Sequence, residues 1–319
     1  MPVPVVEPVV EPVVEPVVEP VVEPVVEPVV EPVVEPVVEP EPGFLAGDDE
    51  ALLRVICEEE PIRWERNARG TTLSFRMVFE DGTTALYKPE QTLGHSRWEA
   101  EVAAYRLNRA LEMNHVPPSC PRRVLRDDLV GAEGMTIDFR TRVTEEVLFD
   151  ADGTVQGMAM YWVPSLYEER DIRLGGEWRW WIAKGGHIPR GREADAASLS
   201  DLMLLDWLTV NTDRWSGGQI RRSGSTTGPM VFIDNAAGFG PSGENQTGAV
   251  WPNFYRAHRF RVPVVERLRE LDDDALDELL SDVLHVEQLE GLRARRDRAL
   301  ERIDELIEEF GRDSVLYFD

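Results

Sequence analysis

A four-residue repeat, VVEP, runs from residue 5 to residue 40 and limits what the start of the chain can fold into. A proline at every fourth position removes a backbone donor and fixes φ, which excludes a helix or a central strand. Repulsion between the glutamates favours an extended, polyproline-II-rich chain of about 3 Å per residue. We interpret residues 1–43 as a disordered, solvated tether, with a ligand for a partner protein as the alternative.

The charge of the chain separates the repeat from the rest. The first 42 residues hold ten Glu and no Lys or Arg, and removing those ten charges from the net −26 leaves −16. Such an acidic body disfavours a nucleic-acid partner, because the phosphate backbone is itself negative. Acidic clusters that hold divalent cations, or simple solubility, explain the charge better.

Neither a membrane span nor a secretion signal is predicted. No apolar run reaches the length of about 18 residues that a membrane helix needs, and the N-terminus lacks the basic start and apolar core of a signal peptide. A cytoplasmic location is therefore the default expectation. Cys57 and Cys120 cannot form a disulfide framework and lack zinc-site spacing, so each is predicted to be a buried or free thiol.

Hydrophobic patterns divide the remaining chain into a β-rich half and a helical half. The segments DDEALLRVI and SRWEAEVAAYRLNRALEM predict helices, and TTLSFRMVFEDGTTALYKP predicts two strands joined by an Asp-Gly turn. Between residues 122 and 163 four β-like runs follow: RRVLRDD, GMTIDFRT, EEVLFDADG and VQGMAMYWVP. Helical patterns occupy about 197–210 and 263–310. We predict a two-lobed α+β domain over residues 44–319, with an N-lobe at about 44–163 and a C-lobe at about 164–319.

Lys88 and Glu101 are the first candidate site residues. Lys88 ends the β-like run TTALYK, and Glu101 follows in a helical pattern beside Trp98 and Tyr105. A carboxylate between two aromatic side chains needs a partner. A lysine at the end of a strand is usually just solvated, but paired with a helix glutamate it can hold nucleotide phosphates, as in kinases.

Two acids in the second half are the other candidates. Asp213, beside Arg214, follows a helix with a leucine face, and a loop acid there can accept a proton from a hydroxyl. Asp234 follows the apolar run MVFI and precedes a glycine-containing turn, where it can bind Mg²⁺ or Mn²⁺ at phosphate oxygens. Taken alone, Asp213 is better explained by an Asx-type turn or a helix-end salt bridge, whereas a turn aspartate explains Asp234 about as well as a metal ligand does.

The order of these parts along the chain is that of a kinase. In this interpretation, Gly70 lies in the turn over the phosphates. The strand GMAMYWV runs into a hinge that places Tyr161, Trp162 and Val163 near an adenine.

Four segments, ALYKP, EAEVAAYRLNRAL, LLDWLTVNTDRW and FIDNAAGFG, together resemble the secretory-pathway kinases of the Golgi casein kinase and four-jointed group. The resemblance covers about residues 65–310 and implies an atypical protein-kinase-like fold that uses ATP with Mg²⁺ or Mn²⁺. It implies that Lys88 binds phosphates with Glu101 as its partner. It also implies that Asp213 is the catalytic acid and Asp234 a metal ligand.

The chain departs from that resemblance after its Asp-Arg pair. A second metal ligand, Asn or Glu in the family, is replaced by Gln219, whose carbonyl oxygen can still serve as a ligand. The usual histidine is Trp215, which is expected to pack instead. The family's several cysteines and signal sequence are missing, which indicates a bacterial-type, intracellular or loosely tethered member.

Three functional hypotheses follow. The first is transfer of the ATP γ-phosphate to a hydroxyl, with a protein Ser/Thr acceptor expected and a sugar hydroxyl as the alternative. The second is a nucleotide-binding pseudokinase or regulatory module, which Gln219 in place of the expected metal ligand suggests. The third is other nucleotide chemistry on the same fold, such as AMP or glutamyl transfer.

Overall fold

A computed structural model describes Met1 and residues 43–68, 70–93, 96–240 and 250–319. All described helices and strands belong to the unit Glu41–Asp319. The predicted tail, with its expected partner, lies outside the described residues apart from Met1 and Gly43. Among the described helices, none is both long enough and apolar enough to cross a bilayer.

A five-stranded antiparallel sheet forms the first half of the domain. Its strands, β1 (Arg63–Arg66), β2 (Phe75–Val78), β3 (Thr84–Pro89), β4 (Ser119–Leu125) and β5 (Thr154–Tyr161), lie in the order β1-β2-β3-β5-β4. Two helices pack on it, α1 (Asp49–Glu58) and α2 (Trp98–Ala110). The side chain of Asp48 caps α1 by accepting from the backbone N–H of Ala51, as the acidic start of that segment predicted.

Alternation along β3 decides which side chains face α2. Successive residues of a strand point to opposite faces, so Leu86 and Lys88 share one face and Ala85 and Tyr87 share the other. Leu86 packs in the core that includes α2, whereas Ala85 and Tyr87 pack in a second core with residues of α1. Lys88 therefore lies on the α2 side of the sheet.

The prediction of strands between β4 and β5 was wrong. The segment GMTIDFRT and the start of EEVLFDADG form a helix, α4 (Ile137–Glu146), and RRVLRDD leaves β4 to enter the short helix α3 (Arg126–Val130). Threonine, valine and phenylalanine gave these segments a strand-like composition. The Thr136 hydroxyl instead caps α4, and Phe139 and Val143, one helical turn apart, are both buried.

The prediction of free thiols was also wrong, because Cys57 and Cys120 form a disulfide. Cys57 lies in α1 and Cys120 in β4, so the bond joins a helix to the edge strand of the sheet. Arg122 strengthens the same junction by donating to the carbonyl oxygens of Ile56 and Glu59. The helix is therefore attached to the sheet both covalently and by hydrogen bonds.

Replacing both cysteines by serine should lower the free energy of unfolding by about 2–4 kcal/mol, because the bond closes a loop between residues 63 positions apart. Urea unfolding of the Cys57→Ser/Cys120→Ser protein, compared with oxidised wild type, measures this difference. Reduced wild type should match the double variant. Two titratable thiols per chain in denatured, unreduced protein would contradict the disulfide.

The second half is mainly helical, as predicted. Its helices are α5 (Arg170–Leu174), α6 (Trp178–Trp181), α7 (Glu193–Thr209), α8 (Trp251–Phe254), α9 (Val262–Glu270), α10 (Asp273–Leu280), α11 (Val286–Phe310) and α12 (Arg312–Val315). A three-stranded antiparallel sheet contains β6 (Leu166–Glu168), β7 (Ile220–Ser223) and β8 (Met230–Phe232), and a parallel pair contains β9 (Phe260–Arg261) and β10 (Leu316–Phe318).

Helix α7 crosses the core of this half. From Leu199 to Thr209 every residue is buried, including the predicted leucine face of Leu202, Leu205 and Leu208. Such an all-round buried helix provides a rigid support for the loop that follows it. That loop contains Asp213 and leads into β7, whose partner β8 precedes Asp234.

Candidate active site

Lys88, Glu101 and Asp234 lie together, although they come from a strand, a helix and a loop. The Lys88 Nζ donates to Glu101 Oε1 at 2.6 Å and to Asp234 Oδ1 at 3.0 Å. The side chain of Glu101 is fully buried, whereas that of Asp234 is 51% exposed. Lys88 therefore links a buried carboxylate to one that can reach a ligand.

The charge on Lys88 is secured by these contacts. Burial alone would lower its pKa, but the carboxylates of Glu101 and Asp234 outweigh that effect and hold the pKa above its usual value. The lysine is consequently a cation at neutral pH. A cation with one half-exposed carboxylate beside it suits a polyphosphate bound together with a divalent metal.

Glu101 also connects helix α2 to the loop after β8. Its second oxygen, Oε2, accepts from the backbone N–H of Asn235 at 2.8 Å. Arg97, at the start of α2, donates to the carbonyl oxygens of Gly238 and Phe239 in the same loop. The helix and the loop are thus joined at two points around Asp234.

Asp213 and Gln219 form a second group in the loop between α7 and β7. Gln219 Nε2 donates to Asp213 Oδ2 at 3.1 Å and to Ser216 Oγ at 3.1 Å. Gln219 Oε1 accepts from the backbone N–H of Gly217 at 3.1 Å. Gln219 is buried and Asp213 is partly exposed.

Arg214 ties the two groups together. Its fully buried guanidinium donates to Asp206 Oδ1 in α7, to the carbonyl oxygen of Ile233 and to Asn235 Oδ1. Burial raises the pKa of Asp206, to about 6, although Arg214 opposes the rise. Arg214 therefore holds the loop that carries Asp213 against the loop that carries Asp234.

Backbone strain marks both ends of this arrangement. Val210, which ends α7, has φ 53°, and Asp234 has φ 59°. A left-handed conformation is unusual for a β-branched residue, and aspartate tolerates it better than most. Strain of this kind concentrates at functional sites because the surrounding structure must impose it.

Trp215 packs, as expected. Its ring stacks on that of Trp178 with centroids 5.1 Å apart and an angle of 2° between the planes. The ring of Trp178 in turn lies under the guanidinium of Arg179. Helix α6 is thereby attached to the loop that carries Asp213.

The predicted adenine residues lie at and after the end of β5, and the predicted phosphate-loop glycine lies between β1 and β2. Gly70 is exposed in the connection between β1 and β2, where its φ of 89° favours glycine. Tyr161 ends β5, and the backbone N–H of Trp162 donates to the carbonyl oxygen of Thr84 at 2.9 Å. Val163 is buried beside Phe44. Their contact with a nucleotide stays a prediction.

Several residues that support the site were missed from the sequence. Arg97 and Gln288 both bind carbonyl oxygens of the loop after Asp234. At Gly157 in β5, a Cβ would lie 2.3 Å from the carbonyl oxygen of Lys88, so only glycine fits beside the lysine. A glycine inside a strand pattern was the available signal for Gly157; Arg97 and Gln288 carried none.

Asp234 is the candidate carboxylate for holding a divalent cation, because its side chain is half-exposed beside Lys88. Hard oxygen donors suit Mg²⁺ and Mn²⁺. Within residues 43–68, 70–93, 96–240 and 250–319, no group of three or more His, Cys, Asp and Glu side chains is gathered around a possible metal position. One or two carboxylates fit a cation that takes its remaining ligands from nucleotide phosphates and water.

Comparison with proteins of known sequence finds similarity to two human proteins. The chain is 23% identical over 320 residues to human glycosaminoglycan xylosylkinase, a match that covers 84% of this chain and 78% of that protein. It is 27% identical over 226 residues to human four-jointed box protein 1, covering 62% of this chain and 48% of that protein, so it spans about half the length of this second relative. No protein-family model matches the chain.

Solved structures agree on the fold. The Golgi casein kinase with Mn/ADP bound superposes with a TM-score of 0.65 at 17% identity, covering 87% of this chain and 82% of that one. Hydra Fam20 with sugar gives 0.65 at 17% identity, covering 87% and 95%. The predicted two-lobed kinase-like fold is confirmed, and so is the predicted resemblance to the secretory-pathway kinases, the family to which these relatives and structures belong.

Proposed function

We propose that the chain transfers the γ-phosphate of ATP to a hydroxyl group, with Mn²⁺ or Mg²⁺ as cofactor. The observation that carries the proposal is the position of Lys88 Nζ between Glu101 Oε1 and Asp234 Oδ1, at 2.6 and 3.0 Å. Asp234 lies 146 residues after Lys88, so the fold alone brings them together. A lysine held by a helix glutamate beside a metal-binding acid is the phosphate-binding arrangement of kinases.

In this proposal each residue has one task. Lys88 binds phosphate oxygens and Glu101 holds Lys88 in place. The oxygen of the acceptor hydroxyl bonds to the γ-phosphorus while Asp213 accepts the proton of that hydroxyl. The bond from the γ-phosphorus to the ADP oxygen breaks in the same step. Asp234 would hold the divalent cation, which supplies charge neutralisation at the phosphates when bound.

Two acceptor classes are considered, a protein serine or threonine and a sugar hydroxyl. A protein acceptor is the expectation from the sequence. The match to a xylosylkinase across 84% of this chain favours the sugar. Support for Mn²⁺ and nucleotide comes from the similarly folded Golgi casein kinase, whose structure was solved with Mn/ADP bound.

The test is incubation of the purified protein with ATP radiolabelled at the γ-phosphate, in parallel with a xylose-containing oligosaccharide and with casein. Label should appear in one acceptor in the presence of Mn²⁺ or Mg²⁺ and fall to background with EDTA. Protein with Asp213→Ala provides the background, and protein with the exposed Asp313→Ala provides a matched active control.

The competing hypothesis is a nucleotide-binding pseudokinase, which is suggested by Gln219 at the position where the resemblance predicts Asn or Glu as a second metal ligand. Metal-dependent ATP binding without label in either acceptor, or in the protein itself, would support that hypothesis. Label arriving from ATP labelled at the α-phosphate would indicate nucleotidyl transfer and overturn the proposal.

A further inference from the structure

Each polar atom of the Gln219 side-chain amide already has a hydrogen-bond partner. Its oxygen accepts from the backbone N–H of Gly217, and its two N–H groups donate to Asp213 Oδ2 and Ser216 Oγ, each bond being 3.1 Å. An amide has two donors and one carbonyl oxygen. Only the second lone pair of the carbonyl oxygen is left over in this arrangement.

The neighbours also fix which way the amide faces. If oxygen and nitrogen exchanged places, the NH₂ group would face the N–H of Gly217 and the oxygen would face the carboxylate of Asp213. Both contacts would then pair like with like, donor to donor and acceptor to acceptor. Gln219 is 6% exposed, so water cannot readily relieve such a mismatch.

The backbone of the loop places the Gln219 side chain beside Asp213. Gly217 and Gly218 have φ of 142° and 85°, values that glycine adopts most easily, so the chain turns back before Gln219. The backbone carbonyl oxygen of Gln219 accepts from the backbone N–H of Ile233, and this bond fixes Gln219 where β7 begins. The position of the glutamine is thus set by the sheet that also leads to Asp234.

We infer that Gln219 is a positioning residue for Asp213 and not a metal ligand. Its N–H holds Asp213 Oδ2, while Asp213 Oδ1 has no hydrogen-bond partner within the described residues. That leaves Oδ1 to accept the proton of the acceptor hydroxyl. The inference rests on the proposed phosphotransfer, and it gives a different role to Gln219, which the resemblance predicted to be the second metal ligand.

Two variants distinguish the roles. Gln219→Met keeps the length of the side chain but can neither donate nor ligate through oxygen, and Gln219→Glu offers a better metal ligand that repels Asp213. We expect both to lower kcat by about tenfold to a hundredfold, because the base loses its alignment. The KM for ATP and the Kd for Mn²⁺, measured by electron paramagnetic resonance titration, should stay within about twofold for Gln219→Met.

The matched control is Gln156→Met on β5, partly exposed and outside the loop, which should retain wild-type kcat. A weaker Mn²⁺ affinity in Gln219→Met, or a kcat kept or raised in Gln219→Glu, would overturn the inference and restore the metal role. Absence of transfer in the wild-type protein would instead overturn the proposed function. Melting temperatures of the variants confirm that each is folded.

Discussion

Asp213→Ala is expected to lower kcat for phosphate transfer by about 10²–10⁴-fold, the range for loss of a general base. The KM for ATP should change little, because Lys88 and Asp234 are untouched. The only side chain hydrogen-bonded to the carboxylate of Asp213 within the described residues is Gln219, and Arg214 holds the loop independently. Unfolding free energy should therefore fall by only about 1 kcal/mol.

Initial rates at saturating ATP, with a parallel urea melt, measure both quantities. Asp213→Asn is the close control, since it keeps the size of the side chain and removes the base; it should lose activity to a similar degree. Activity of either variant close to that of wild type would show that another group accepts the proton. A large loss of stability would show that the Asp213 side chain is structural.

Glu101→Ala is expected to remove activity and about 3–5 kcal/mol of stability, because it leaves a buried lysine with a single, half-exposed partner. The backbone N–H of Asn235 loses its acceptor in the same change. Thermal or urea unfolding measures the stability, and the label-transfer assay measures the activity. Glu99→Ala is the matched control, since Glu99 lies two residues earlier on α2 and is only partly buried. It should lower the free energy of unfolding far less than Glu101→Ala does.

A double variant keeps this prediction testable if Glu101→Ala fails to fold. Lys88→Met with Glu101→Leu replaces the buried ion pair by apolar side chains, a change that is often neutral for stability. We expect a folded protein without phosphate transfer. A folded and active double variant would show that the pair has no catalytic part and serves packing alone.

Regular periodicity explains why much of the fold was predictable. A β-like run predicted the strand that carries Lys88 and a helical repeat predicted the helix that carries Glu101, and both patterns are confirmed as β3 and α2. The two patterns also placed the long buried helix before Asp213 and the apolar strand before Asp234. Neither pattern could show that Lys88 contacts both acids, since that depends on how the halves pack.

The failures have a common physical origin in contacts distant along the chain. Cys57 and Cys120 are 63 residues apart, and only the packing of α1 on β4 brings them together. In α4, side chains that favour strands form a helix because Phe139 and Val143 share one buried face. For Gln219, the metal role came from a resemblance, whereas its hydrogen bonds depend on the backbone of two preceding glycines.

Phosphorus NMR of the products formed from ATP and the acceptor by the wild-type protein, recorded after the paramagnetic Mn²⁺ has been removed, tests the central claim most directly. The predicted result is a phosphomonoester signal on the acceptor that grows with reaction time, with an equal amount of ADP, and none of either with Asp213→Ala. A phosphodiester signal with release of pyrophosphate, or ATP that stays unchanged although it binds, would contradict γ-phosphate transfer by this site.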